Sequence, residues 1–535
     1  MKKSIALLLV CAMLLSSLAA CGGNKATTTT QPSATQPTES KSEAPVLPQE
    51  TTGKLSASEN PLVKDTDTVV ISLASDLESL NPITTSTIVS NEVQQNCYEG
   101  LLNYDLQGNV LPGLAESWEY DADTLTYTIK LRDDVVFHNG SKFTAEDAAF
   151  SMEIGKQTGR MSLSCNYIES TEVVDETTLK VTLTANYSPF LYFLAINLPI
   201  ISKDYYTNGD MDGTMMGTGP YKFVSYTPGD KVVFEKFDGY YKETDGNVKN
   251  LIFKIVPDAN TQFIALESGD LNLSRDFSMN NIQSILDNPE LDIYTGESGN
   301  IYYMGINQSH APLDNALVRQ AINYAIDREF IIEACEEGYA EVANSIANKG
   351  MLGYTEDAKY YEYNPEKAKE LLAQAGYPDG FTIDLPIITK EGKFKKAAEV
   401  VKEDLNAIGI KVELAVKDTA GFNDDFKKSN FALAVTSLNL SQDAHHATMS
   451  FTDTGYLNYF NINDAWINEQ SSIAANEQDP EVRKAIYHDI LCKVADDALY
   501  APLYYPQKVW AITSGLKNST YDRYVGVLAE YMSWE

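Results

Sequence analysis

Basic residues are scarce in this chain of 535 residues: 41 Lys and Arg stand against 75 Asp and Glu, for a formal net charge of -34. The acids are spread along the chain without long runs, which argues against nucleic-acid binding and against a basic lipid-binding face. Histidine is scarcer still, at five residues. No His-Glu-x-x-His, Gly-x-Ser-x-Gly or paired metal motif occurs, so hydrolysis has no motif-level apparatus and no metal or other cofactor is implied. A carboxylate pair drawn from the many acids is the one enzymatic device that motifs leave open, and product formation would distinguish it. The six cysteines contain no Cys-x-x-Cys pair, which removes zinc knuckles and thioredoxin-like sites. Beyond the amino terminus no apolar run reaches membrane-spanning length, and no internal repeat is present.

What is present begins with Met1-Lys2-Lys3, an apolar stretch from Ile5 to Leu18, and Leu18-Ala19-Ala20-Cys21. A positive start, a short apolar region and small residues before a cysteine are the layout of a cleavable export signal. The segment resembles the bacterial lipobox, which implies acylation of Cys21 and work outside the cytoplasm, on the outer face of the cytoplasmic membrane or the periplasmic side. Cys11 would leave with the signal. Cys97, Cys165, Cys335 and Cys492 remain, far apart, and are expected as buried free thiols. Residues 22–60 are rich in Thr, Ser, Gln and Pro with few large apolar residues, and a disordered linker is expected there.

A length of 535 residues exceeds what one hydrophobic core supports, so two or three domains are expected. Thr68-Val69-Val70-Ile71-Ser72-Leu73 reads as a buried strand, and Leu125 to Leu131 and Thr178 to Leu183 as half-buried strands of period two. Thr144-Ala145-Glu146-Asp147 opens a helix with a capping-box variant. Leu317, Val318, Ala321, Ile322, Ala325 and Ile326 share one helical face. Asn364-Pro365 starts a further helix that Gly376 ends. Strands and helices alternate throughout, and the class is α/β.

Several blocks then line up in order and spacing: Tyr98-Glu99-Gly100-Leu101, Leu111-Pro112-Gly113-Leu114-Ala115-Glu116-Ser117-Trp118, Phe137-His138-Asn139-Gly140, Gly217-Thr218-Gly219-Pro220-Tyr221, Val318-Arg319-Gln320-Ala321-Ile322, and Asn364 through Gly376. Together they resemble the large solute-binding proteins of peptide and nickel ATP-binding-cassette importers, family 5 of the bacterial extracellular solute-binding proteins. Most of these residues read as structural: glycines and prolines set turns, Trp118 is a core anchor, and Glu146 and Asp147 are caps.

The resemblance implies a two-lobed periplasmic-binding-protein-like clamshell of class II with an extra subdomain in the first lobe. The expected divisions are 1–21 signal, 22–60 linker, 61–99 with 188–300 and 496–535 as the first lobe, 100–187 as the subdomain, and 301–495 as the second lobe. It implies a monomeric carrier, not an enzyme, that captures oligopeptides or dipeptides by closure and passes them to permease subunits. A nickel or metal-chelator cargo, and a peptide-sensing receptor, are the alternatives. By position, the peptide-binding relatives' tryptophan falls on Leu438 and their ammonium-holding aspartate on Ser441, with Asp443 two residues on as a substitute anchor. Asp443-Ala444-His445 also resembles the Asp-Pro-His of nickel-binding relatives, which makes His445 the candidate ligand if metal is the cargo; surface histidines are the plainer reading. Thr87 and Ile88 are expected to offer main-chain partners. Asn458, with Tyr459, and Tyr505 or Tyr504 are expected in the cleft.

Overall fold

The computed structural model describes residues 54–535 except 86, 105–108, 158–160, 163–164, 440–442, 520 and 523–525. The expected lipidation site Cys21, most of the expected linker and the expected site residue Ser441 lie outside the described residues.

The β-branched run forms the strand Thr68–Leu73, with Val69, Ile71 and Leu73 wholly buried. It pairs in parallel with Asn250–Ile255, which continues antiparallel into Lys231–Lys236 and Tyr221–Thr227 at the sheet edge. On its other side the short strand Leu273–Ser274 leads antiparallel to Tyr500–Thr513. That last strand holds the architecture together. Its 14 residues span roughly 45 Å at the usual strand rise. Its carboxyl half pairs with Leu291–Glu297. Its amino half pairs with Asn300–Ile306 and Ala340–Val342. Beyond Asn300–Ile306 come Leu433–Asn439 antiparallel, then Ile387–Lys390 and Leu414–Lys417 in parallel. The residues between Glu297 and Asn300, and the middle of Tyr500–Thr513, are therefore two passages from one set of strands to the other. Packing follows the same division: Trp510 and Ile512 join the cluster around Val69, Ile129 and Phe234, whereas Leu503 and Tyr504 join the cluster around Ile322, Val401 and Leu433.

A separate antiparallel sheet runs Ala115–Asp121, Thr126–Leu131, Thr178–Leu183, Ile168–Asp175. Tyr127, Ile129 and Leu131 are buried on one face, as alternation requires, and Trp118 packs partly buried against the same core. The helix Ala145–Gly155 lies beside this sheet, opened by a capping box in which the Asp147 carboxylate accepts from the Thr144 N–H at 3.0 Å. In the other half, Asn364 accepts from the Lys367 N–H at 2.9 Å to start Pro365–Gln374, and Gly376 follows at φ +94°, where a side chain would be strained. Arg328 is 2% exposed and fully engaged, giving hydrogen bonds to the carbonyls of Pro502, Asn323 and Tyr361. It ties the helix Arg328–Glu336 to the crossing strand.

Two expectations change in detail. The linker was placed as far as Asn60, yet the chain is held from Lys54, whose ammonium donates to the carbonyls of Ile285, Leu286 and Asn288 at the end of Ile282–Asp287. Asn60 donates to the carbonyls of Glu290 and Ser514. Polar side chains that cap free carbonyls order this segment, which its low apolar content hid. The four remaining thiols are free, as expected, but only Cys97, Cys165 and Cys335 are buried; Cys492 is half-buried.

Candidate functional site

Asp443 caps the short helix Ala444–Thr448, accepting from the His445 N–H at 2.9 Å. Its carboxylate also lies 3.0 Å from the Arg483 guanidinium, and both side chains are only 8% exposed. Arg483 and Tyr487 share one face of Pro480–Asp496, four residues apart, which stacks the guanidinium 5.3 Å over the Tyr487 ring. The Tyr487 hydroxyl lies 3.4 Å from Arg483 and 3.1 Å from His445 Nδ1. A chain of contacts thus runs from Asp443 through Arg483 and Tyr487 to His445. Burial holds the His445 and His446 rings neutral, each pKa pushed down to about 4.

His445 opens onto a cavity of about 610 Å³. One wall comes from Asn166, Tyr167, Tyr187 and Phe193, and the other from Met449, Tyr456, Ser471 and Ala475. Tyr167 and Tyr187 stack at 3.7 Å, and Tyr187 meets the His445 ring edge-to-face at 5.6 Å. The walls are pinned together where Asn186 donates to the Asn476 carbonyl at 2.6 Å and the Ser188 N–H to the Ala475 carbonyl at 2.8 Å. Those carbonyls end the helix Ala465–Asn476, where no intrahelical donor remains, so one wall caps a helix of the other.

A second cavity, of about 300 Å³, lies around Glu99, Tyr240, Lys242 and Glu530. Glu99 is saturated there by Thr218, Tyr240, Tyr241 and Lys242 at 3.0 to 3.1 Å.

Of the expected site residues, His445 lines the larger cavity and is buried with His446's ring pKa similarly depressed, so the surface-histidine reading gives way. Asp443 sits beside it, but its carboxylate is committed to Arg483 and to a helix cap, which corrects its expected role as a free ammonium anchor. Asn458 donates to the Thr452 and Ile462 carbonyls and accepts from the Ile462 N–H, so it shapes the loop carrying Thr452, Asp453 and Tyr456 rather than lining the cavity. The Tyr505 hydroxyl donates to the Ser345 and Ala347 carbonyls, within 2.6 and 2.9 Å, and Tyr504 is stacked on Tyr302 at 4.5 Å. Thr87 caps Ile88–Gln94 and gives its N–H to Glu78, and Ile88 is 63% exposed; neither lines the cavity. Leu438 packs half-buried in its strand's core, and the Tyr459 ring packs on Phe426.

Sequence reasoning passed over Tyr167, Tyr187, Phe193, Arg483 and Tyr487. With 32 tyrosines in the chain, no single one carries a signal. The four-residue spacing of Arg483 and Tyr487 was the available clue.

Two sets of strands joined by a shared strand, with a cavity walled by residues distant in sequence, define a solute-binding architecture. A family model for bacterial extracellular solute-binding proteins, family 5, matches residues 109–460, and the chain belongs to that family. It is 31% identical over 355 residues to a glutathione-binding protein of Pectobacterium atrosepticum, covering 65% of this chain and 69% of that protein. It is 29% identical over 378 residues to heme-binding protein A of Haemophilus influenzae, covering 64% and 69%. The solved structure of a Helicobacter pylori periplasmic binding protein in complex with the peptide STSA superposes with a TM-score of 0.72, at 26% identity, over 88% of this chain and 98% of that one. The protein is a substrate-binding component of an ABC importer, works outside the cytoplasm, and binds its solute without transforming it. Among the described residues no helix is long and apolar enough to cross a membrane.

Proposed function

We propose that this chain is a lipoprotein acylated at Cys21 that captures oligopeptides or dipeptides between two closing lobes and delivers them to permease subunits. The observation that carries this reading is the cavity of about 610 Å³, whose walls come from residues 162–193 and 445–475. Its volume falls in the range of small-ligand sites, and a change in the relation of its walls would open or seal it. The relatives support a peptide cargo: glutathione is a tripeptide, and the Helicobacter pylori structure holds a peptide. Main-chain groups are common to all peptides, so a cleft of this type accepts many sequences. An acyl anchor with a flexible spacer would hold the carrier near its permease at a raised effective concentration.

Native mass spectrometry of protein purified from its host, followed by identification of the released ligand, tests the cargo. Peptides bound and unchanged are expected. Absence of peptides, together with tight binding of a nickel chelate that His445→Ala abolishes, would replace peptide by metal chelate. That second reading rests on the opening of His445 onto the cavity. Among the described residues no group of three or more His, Cys, Asp or Glu is placed to hold a metal, so a chelator would supply the other ligands. A Cys21→Ser protein is expected to leave the cell surface and to slow import; retention with full import removes the anchor.

A further inference from the structure

The proton on His445 can be placed from its neighbours. Arg483 has donors only, so in the contact of 3.4 Å the Tyr487 oxygen accepts from it. The Tyr487 proton is then directed to His445 Nδ1, at 3.1 Å, which accepts. A neutral imidazole whose Nδ1 accepts carries its proton on Nε2. That ring is neutral at ordinary pH, since burial pushes its pKa down to about 4. Nε2 makes no hydrogen bond with any described residue, and the ring borders the cavity. Asp443 fixes the Arg483 end of the chain, so the arrangement does not depend on a mobile side chain.

The surroundings set what this donor meets. Tyr187, Phe193, Met449 and Ala475 supply apolar walls, and among the described residues no Lys or Arg lines the cavity; its carboxylate, Asp453, is on an exposed stretch of the rim. A carboxylate entering here would lose water without gaining a counter-ion from any described lining residue. An ammonium would meet a donor, and a metal ion would need a lone pair where the proton sits. We infer that the inner end of this cavity takes an uncharged planar group of the cargo bearing a hydrogen-bond acceptor, such as a carboxamide. His445 Nε2–H is the donor to that acceptor, and Tyr487 is the positioning residue that selects the tautomer. The inference rests on reading the cavity as the cargo site.

Two measurements on the intact chain test it without any knowledge of the natural cargo. In protein labelled with 15N-histidine, long-range 1H–15N correlations at pH 7 should show His445 as the Nε2–H tautomer, assigned by loss of the signal in His445→Gln. Tyr487→Phe should convert it to a mixture. A Nδ1–H tautomer in the parent protein, or no change in Tyr487→Phe, overturns the role given to Tyr487. Benzamide, benzoate and benzylamine then serve as probes. Benzamide should shift the Nε2–H signal and bind at least tenfold more tightly than the other two, with the preference lost in His445→Phe. Equal or tighter binding of benzoate or benzylamine, or no shift with benzamide, overturns the ligand class. Failure of the peptide reading would show separately, as absence of peptides in the protein from its host.

Discussion

The two cavities differ in how their charges are used. Around the smaller one, Glu99 looks like a binding carboxylate until its four partners are counted, and Lys242 is one of them. The larger one has fewer charges at its lining, and its nearest ion pair, Asp443 with Arg483, is buried behind His445. Charge alone therefore points to the wrong place. The smaller cavity commits Glu99 to its own walls, whereas at the larger one His445 Nε2 bonds to no described residue and the charges stand where they orient that ring.

The largest effect should come from removing the ion pair behind the larger cavity. Arg483→Met leaves Asp443 buried without its counter-ion, a loss of about 3–5 kcal/mol in unfolding free energy by denaturant titration. A loss below about 1 kcal/mol would mean that the pair contributes no orientation and that the comparison fails.

Acid is expected to act next most strongly, and with opposite sign at the two cavities. His445 and His446 have folded pKa values near 4 against an ordinary 6.5, and His138, buried against the Gly219 carbonyl, behaves alike. Below 6.5 the unfolded chain takes up protons that the folded chain refuses. Stability present above pH 6.5 is thus lost as pH falls toward 4. Glu530 is shifted upward by burial, so its contribution is complete below the ordinary glutamate pKa and lost as pH rises through its folded value. Asp404, raised to about 6 by burial, acts in the same direction as Glu530. Thermal melts from pH 4 to 8 should show the acid loss, and His445→Gln should flatten it. An acid slope unchanged by that substitution would take His445 out of the account.

These particulars show how much the chain disclosed before its structure. Periodicity located Thr68–Leu73, Thr126–Leu131 and the helix Ala316–Ala325, because one buried face imposes a repeat that short windows reveal. Capping residues located the starts of Ala145–Gly155 and Pro365–Gln374 for an equally local reason. The cavity obeys no local rule. Tyr187 and His445 are 258 positions apart, and only the folded chain brings their rings within 5.6 Å. Asp443 is expected from the sequence as an ammonium anchor, but its partner Arg483 sits 40 positions away, and that partner commits the carboxylate to a buried ion pair.

The contacts that pin the walls of the larger cavity should give a moderate effect. Asn186→Ala removes the hydrogen bond to the Asn476 carbonyl and those received from Tyr120 and Gln478, with a net cost of about 1–2 kcal/mol. If the walls must meet for cargo to be held, cargo affinity should fall about fivefold while the melting temperature changes little. Unchanged affinity would separate this contact from binding.

The smallest effect tests the smaller cavity. Glu530 Oε2 is buried without a hydrogen bond, and burial raises the carboxyl pKa against the pull of Lys242. Glu530→Gln keeps the shape and removes the ionisation. It should leave stability at pH 4 unchanged, where the parent carboxyl is already protonated, and raise the melting temperature at pH 8 by roughly 1–2 °C. Cargo affinity should not move in this variant. A loss of affinity with an unchanged melt would reverse the assignment of roles, since the ionised Glu530 would then act on cargo and the smaller cavity would be a binding site.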